Sequence, residues 1–202
     1  HSGERDIEFG ARRAADWNEQ LARRSARLHK RVAAGDRGQF GFLDAGYGGH
    51  HLTFKDAVVM KTGREPIALE VNDFNSDGLG DIAVCNYGDG DLLVIQGQQD
   101  GMFKTKGRFK TGRLPIAIDS ADFNNDEIID LAVTLRFDKL VIHLGIGDGT
   151  FKLGETYKAT GTPANLVAGD FNNDGKVDIA ISSNAVKADF IKVFPGNGDG
   201  TF

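Results

Sequence analysis

Three times in 202 residues the chain runs through the same ordered set of landmarks, and that periodicity constrains its fold more than any other feature. Pro66-Ile67-Ala68, Pro115-Ile116-Ala117 and Pro163-Ala164-Asn165 open three units, each shortly after a glycine (Gly63, Gly112, Gly161). Asp73-Phe74-Asn75, Asp122-Phe123-Asn124 and Asp170-Phe171-Asn172 follow, spaced 49 and 48 residues apart. Next come Asp81-Ile82-Ala83-Val84, Asp130-Leu131-Ala132-Val133 and Asp178-Ile179-Ala180-Ile181. The units close on Asp100-Gly101-Met102-Phe103, Asp148-Gly149-Thr150-Phe151 and Asp199-Gly200-Thr201-Phe202. A fixed period of about 50 residues marks a supersecondary module that cannot bury its apolar surface alone, so neighbouring modules must stack.

Inside a unit the pattern is that of strands. Ile67, Leu69 and Val71 alternate with other residues, as in a half-buried strand. Ile82-Ala83-Val84 and Leu92-Leu93-Val94-Ile95 are short apolar runs suited to strands covered on both faces, and Lys104–Lys110 is polar, as an outer strand would be. The expected fold is all-β: propeller-like tandem blades of four antiparallel strands. The blades fall at about 63–111, 112–160 and 161–202. Phe54 repeats the spacing of Phe103, Phe151 and Phe202, so residues 39–62 read as the tail of an earlier blade within a repeat region of 39–202. Phe202 comes before the outer strand of the last blade, and Lys55–Met60 is a candidate to supply it.

Residues 1–38 differ. Ala11–Ala34 places Trp17, Leu21, Leu28 and Val32 at helical spacing, with Asp16 as a start cap and Gly35 as a stop, which predicts an N-terminal α-helical segment. That segment either packs on its own propeller, docks on a neighbouring subunit or lies on a membrane surface. The absence of an initiator Met at His1 implies a removed leader or a start partway along a longer protein.

The loops between landmarks carry the chemistry. Asp73-Phe-Asn75-Ser-Asp77-Gly78-Leu79-Gly-Asp81 puts side-chain oxygens at positions 1, 3, 5 and 9, and the loops from Asp122 and Asp170 do the same. This is the spacing of the first nine positions of a helix-loop-helix calcium loop, where position 7 offers a backbone carbonyl and position 6 is a glycine. Strings of Asp, Asn and Gly also make ordinary turns, but turn chemistry alone does not call for the ninth-position Asp in all three copies. The candidate ligands are therefore Asp73, Asn75, Asp77, Leu79 and Asp81, then Asp122, Asn124, Asp126, Ile128 and Asp130, then Asp170, Asn172, Asp174, Lys176 and Asp178. An all-oxygen set disfavours zinc and copper and suits Ca2+. Glu127 stands where the other loops have Gly78 and Gly175, which weakens the middle loop.

The segments Asp170–Asp178 and Gly196–Phe202 resemble FG-GAP (VCBS-type) repeats, the repeats of the integrin α-subunit propeller and of many secreted bacterial proteins. The resemblance covers about residues 54–202. It implies a calcium-binding propeller, outside the cell, working in adhesion, ligand binding or surface assembly.

Other function classes find less support. Residues 1–40 hold nine Lys/Arg against six Asp/Glu, whereas the rest of a chain of net charge −5 is strongly acidic, which argues against nucleic acid as the partner of the body. No apolar run is long enough to span a membrane. No nucleophile elbow, HExxH zinc pair or phosphate loop is present, so no enzyme is expected. His50-His51 reads as a loop pair, His143 as a structural residue and Cys85 as a small core residue. A glycan-binding role would rest on Tyr47, Tyr87 and Tyr157, which form no motif. The basic front and acidic body favour self-association of subunits through the N-terminal segment, as an oligomer or fibre.

Overall fold

The computed structural model describes residues 57–159, 161–183 and 190–202. The N-terminal helix, the partial blade up to residue 56, and Tyr47, His50 and His51 lie outside these residues.

The described residues are all-β. The first sheet is an antiparallel meander of β1 (Pro66–Asn72), β2 (Asp81–Asn86), β3 (Asp91–Gly97) and β4 (Phe103–Lys110). The second repeats it with β5 (Pro115–Ala121), β6 (Asp130–Leu135), β7 (Lys139–Gly145) and β8 (Phe151–Lys158). The third comprises β9 (Pro163–Gly169), β10 (Asp178–Ser183) and β11 (Phe190–Phe194). Each acidic loop joins the first strand of a sheet to the second. Proline opens β1, β5 and β9, where a strand start loses no ladder donor.

The expected antiparallel sheets thus form, with one correction. Among the described residues the third sheet has three strands, and residues 57–60 of the candidate closing strand form no strand there. Met60 instead lays its side chain on Val84, Leu93 and Ile95 of the first sheet. An apolar patch on the nearest sheet outcompetes a distant edge.

Alternation decides which sheet each side chain meets. In the first sheet Leu92 and Val94 face the second sheet, joining Phe74 and Cys85 in a core completed by Ile118, Leu131, Val133, Val141 and Phe151. The second sheet turns Leu140, Ile142 and Phe123 the other way, into a core shared with Leu166, Ile179, Ile181 and Phe194 of the third. The second sheet is therefore covered on both faces, and every residue of β6 is buried. The innermost strand β5 packs against both β1 and β9. Polar ties cross both seams. Asn72 Nδ2 donates to Ser120 Oγ (3.0 Å), Ser120 Oγ to Glu70 Oε1 (2.8 Å), and the Ala168 amide to Asp119 Oδ2 (2.7 Å).

The outer ends of this stack behave differently. Ile67, Leu69 and Val71 alternate as the sequence predicts, yet they stand in solvent on the free face of the first sheet.

Cys85 is fully buried and its thiol is pushed up to about 12 by burial, so it is a packing residue with no thiolate chemistry. His143 is buried at the first seam, and its Nε2 finds no hydrogen-bond partner among the described residues. Burial lowers its pKa to about 4. The folded chain therefore refuses a proton that the unfolded chain accepts from about pH 6.5 downwards. Stability from this residue is full above the unfolded pKa and is lost as pH falls towards 4. His143→Leu should gain on wild type by about 2 kcal/mol between pH 6.5 and 5, at about 1.4 kcal/mol per pH unit. Urea unfolding of both proteins in EDTA at the two pH values reads this difference; a constant gap would contradict it.

Candidate metal centre

The three acidic loops share one backbone. Position 4 adopts positive φ in each: Ser76 at 60°, Asn125 at 59° and Asn173 at 60°. Position 6 does so again, with Gly78 at 86°, Glu127 at 67° and Gly175 at 84°. Two left-handed residues so close together curl the chain and turn the odd-numbered side chains inward.

The polar contacts repeat as faithfully. In the first loop Asp73 Oδ1 and Asn75 Oδ1 both accept from the Asp77 amide (3.1 and 3.0 Å). Asp73 Oδ2 accepts from the Gly78 amide (2.8 Å) and Asp77 Oδ1 from the Leu79 amide (2.8 Å). Asn75 Nδ2 donates to Asp77 Oδ2 (2.9 Å). The set recurs at Asp122, Asn124 and Asp126 and at Asp170, Asn172 and Asp174. Positions 1, 3 and 5 are thus brought together over the loop's own amides. The side chains of Leu79, Ile128 and Lys176 play no part in this; only their carbonyls were candidates.

The ninth-position Asp does something else. Asp81, Asp130 and Asp178 are buried, at most 1% exposed. Asp81 Oδ2 accepts the Phe74 amide (3.2 Å) and Oδ1 the Gly97 amide (2.9 Å). Asp130 does the same with Phe123 (3.0 Å) and Gly145 (2.8 Å), and Asp178 with Phe171 (3.1 Å) and Gly196 (2.8 Å). Each carboxylate therefore staples the start of its loop to the end of the third strand of its own sheet. This role needs no metal, so the presence of the ninth Asp in all three copies has a structural cause as well as a chemical one. A carboxylate has about four lone-pair positions, so two remain for a further partner.

Burial raises the Asp130 carboxyl to about 6, with Asp126 and Asp122 adding to the rise against the two amides that lower it. Asp81 is raised by the same causes. Buried carboxylates held above their ordinary range are groups that a cation would relieve.

Three residues essential to this geometry escaped the sequence reading. A Cβ at Gly97, Gly145 or Gly196 would overlap the carbonyl oxygen of Gly80, Ile129 or Val177, next to the stapling Asp. The visible signal was a glycine recurring 16, 15 and 18 residues after the ninth Asp.

Glu127 makes the same amide bond to Asp122 Oδ2 (2.8 Å) that glycine makes in the sister loops. Its side chain contributes no hydrogen bond that explains its place. A non-glycine residue in the left-handed region costs about 1–2 kcal/mol, so Glu127→Gly should stabilise the metal-free chain by about 1 kcal/mol. Thermal unfolding in EDTA checks it; a lower melting temperature would show that Glu127 contributes more than strain.

The remaining candidates are accounted for by packing. Tyr157 is stacked edge-on between Phe194 and Phe202, and its hydroxyl accepts the Phe202 amide (3.1 Å). The Tyr87 hydroxyl accepts from Arg136 Nη1 (2.5 Å). Among the described residues no three His, Cys, Asp or Glu side chains form a metal-holding cluster, so the three aspartates of each loop do not converge as one set. No helix among the described residues is long and apolar enough to cross a membrane.

The model of the FG-GAP-like repeat matches residues 73–133 and 122–181, which together span more than half of the chain. No curated protein matches. Among solved structures, the crystal structure of BBS1N in complex with ARL6DN, soaked with lead, is similar at 12% identity, covering 69% of this chain and 53% of that one, with a TM-score of 0.38. The chain thus spans about half the length of that match.

Proposed function

The chain belongs to the FG-GAP-like repeat family, and on that premise we propose that it is a non-enzymatic, calcium-stabilised scaffold that works outside the cell in adhesion or assembly. One observation carries the calcium reading. In three loops that share the same two positive-φ positions, the oxygens of positions 1, 3 and 5 are drawn together by the same hydrogen bonds, with a buried carboxylate at position 9. The donor set is carboxylate, amide oxygen and carbonyl, which suits a hard cation that takes six to eight oxygens.

Calcium would be held by Asp73, Asn75, Asp77 and Asp81 with the Leu79 carbonyl in the first loop. Asp122, Asn124, Asp126 and Asp130 with the Ile128 carbonyl would form the second, and Asp170, Asn172, Asp174 and Asp178 with the Lys176 carbonyl the third. When bound, the ion supplies charge that offsets the repulsion among these carboxylates. Asp77, Asp126 and Asp174 lie at the exposed tip of each loop, while the ninth-position Asp anchors the loop from behind. Extracellular calcium modules bind at about 10⁻⁴–10⁻³ M, so an extracellular role sets the calcium concentration at which these loops should fill.

Calorimetric titration tests the reading. Three sites are expected, the middle one weakest because of Glu127, and at ten times the dissociation constant each adds about 1.4 kcal/mol of stability. Absence of heat, together with a melting curve that calcium and EDTA leave unchanged, would sink it.

A further inference from the structure

We propose that copies of this chain join head to tail, the exposed β1 row of the first sheet receiving the exposed row of the third sheet of a second copy. The proposal stands independently of the calcium reading.

Each internal seam is pinned by an aromatic pair contributed by two successive units. Phe74 of the first unit meets Phe151 of the second edge-on, with ring centroids 5.5 Å apart and planes at 74°. Phe123 of the second meets Phe202 of the third at 5.5 Å and 72°. A backbone bond reinforces each pair: the Gly149 amide donates to the Phe74 carbonyl (3.0 Å) and the Gly200 amide to the Phe123 carbonyl (2.9 Å). The seam is thus one device, built twice.

Among the described residues, the two halves of a third such device stand unused at opposite ends of the stack. Phe171 holds the position of Phe74 and Phe123, and is 38% exposed where they are 1% exposed. Phe103 holds the position of Phe151 and Phe202, and is 37% exposed where Phe151 is 7% exposed. Behind Phe171, the outward row of the third sheet presents Val167, Ile191 and Val193, all exposed. Ile191 and Val193 occupy the positions of Leu92 and Val94, which fill the first seam. Opposite them, in a second copy, the first sheet presents Ile67, Leu69 and Val71. Leu69 holds the position of Ile118 and Leu166, which are buried in the two seams. Val84, Leu93 and Ile95 of the same face are at most 6% exposed, with Met60 packed on them, so the free part of the face is the β1 row, together with the exposed Val58 and Val59.

Exposed apolar rows of this extent mark an interaction surface. The occupant is set by complementarity: each row matches half of a seam whose other half exists on the opposite end of the same chain. The contact is heterologous, so it builds an open string of copies unless its rotation closes a ring.

One mixing experiment tests this, with mass measured by sedimentation velocity across a wide concentration range, in calcium and in EDTA. Leu69→Lys breaks the receiving face, and Phe171→Glu breaks the inserting face. Wild type should grow past a dimer as concentration rises, and each variant alone should stay monomeric. The two variants mixed should form a one-to-one dimer and nothing larger, because one copy retains each intact face. Ile191→Glu repeats the Phe171 arm in case that variant fails to fold, which circular dichroism reports. A wild type monomeric at every concentration would overturn the proposal, and would mean that the free faces are covered from within the chain. Variants that assemble like wild type, or a mixture that stays monomeric, would overturn it equally.

Discussion

Asp81→Ala should lower stability by about 2–4 kcal/mol in the presence of EDTA, where no calcium effect can contribute. The substitution strips the Phe74 and Gly97 amides of their common acceptor. A buried donor left without a partner costs about 1–3 kcal/mol, and there are two. Some of that loss is offset, since burial already holds the Asp81 carboxyl above its ordinary value and its removal relieves a desolvated charge. Asp77→Ala is the control. Its carboxylate serves only the exposed tip of the loop, so it should cost little in EDTA and should abolish the calcium-dependent gain of that loop. Urea unfolding of the two variants, with and without calcium, separates the staple from the ligand. Equal losses in EDTA would show that the ninth-position carboxylate is no staple.

Phe123→Ala should cost about 3–5 kcal/mol, as truncation of a buried phenylalanine does, while Phe171→Ala costs about 0.5 kcal/mol or less in the dilute chain. The two residues occupy the same place in the same motif. Phe123 is sealed under Phe202 and within the second seam, whereas Phe171 has no ring stacked on it among the described residues. At about 2–4 °C per kcal/mol for a domain of this size, the first change should take roughly 10 °C from the melting temperature and the second should be barely measurable. Similar losses would mean that position in the motif, rather than position in the stack, sets the energetics.

Much of this molecule was legible in its sequence because the repeat supplies its own controls. The four strands of the first unit fall where alternation, two apolar runs and a polar outer stretch put them, the repeat carries the pattern on to the later units, and the acidic loops lie between the first and second strands. Other features were hidden for physical reasons. Alternation at Ile67, Leu69 and Val71 announces a face, but whether that face is covered depends on a neighbour outside the strand. The pairing of Phe74 with Phe151 joins residues of different units, so no comparison of one unit with another reveals it. The stapling role of the ninth-position Asp was hidden because its amide partners are backbone groups, which leave no trace in side-chain identity. Gly97, Gly145 and Gly196 were visible as glycines, yet only the approach of a carbonyl explains them.

The seam phenylalanines have a consequence for how such chains evolve. Copying one period of the sequence, from one opening proline to the next, copies Phe103 with β1 although that ring cannot pack on its own sheet. The stretch that is inherited and the stretch that folds are therefore out of phase. Phe74 and Phe151 lie 77 residues apart and Phe123 and Phe202 lie 79 apart, more than one period, so any joint that adds or removes a unit divides a pair, which must re-form with the equivalent ring of the new neighbour.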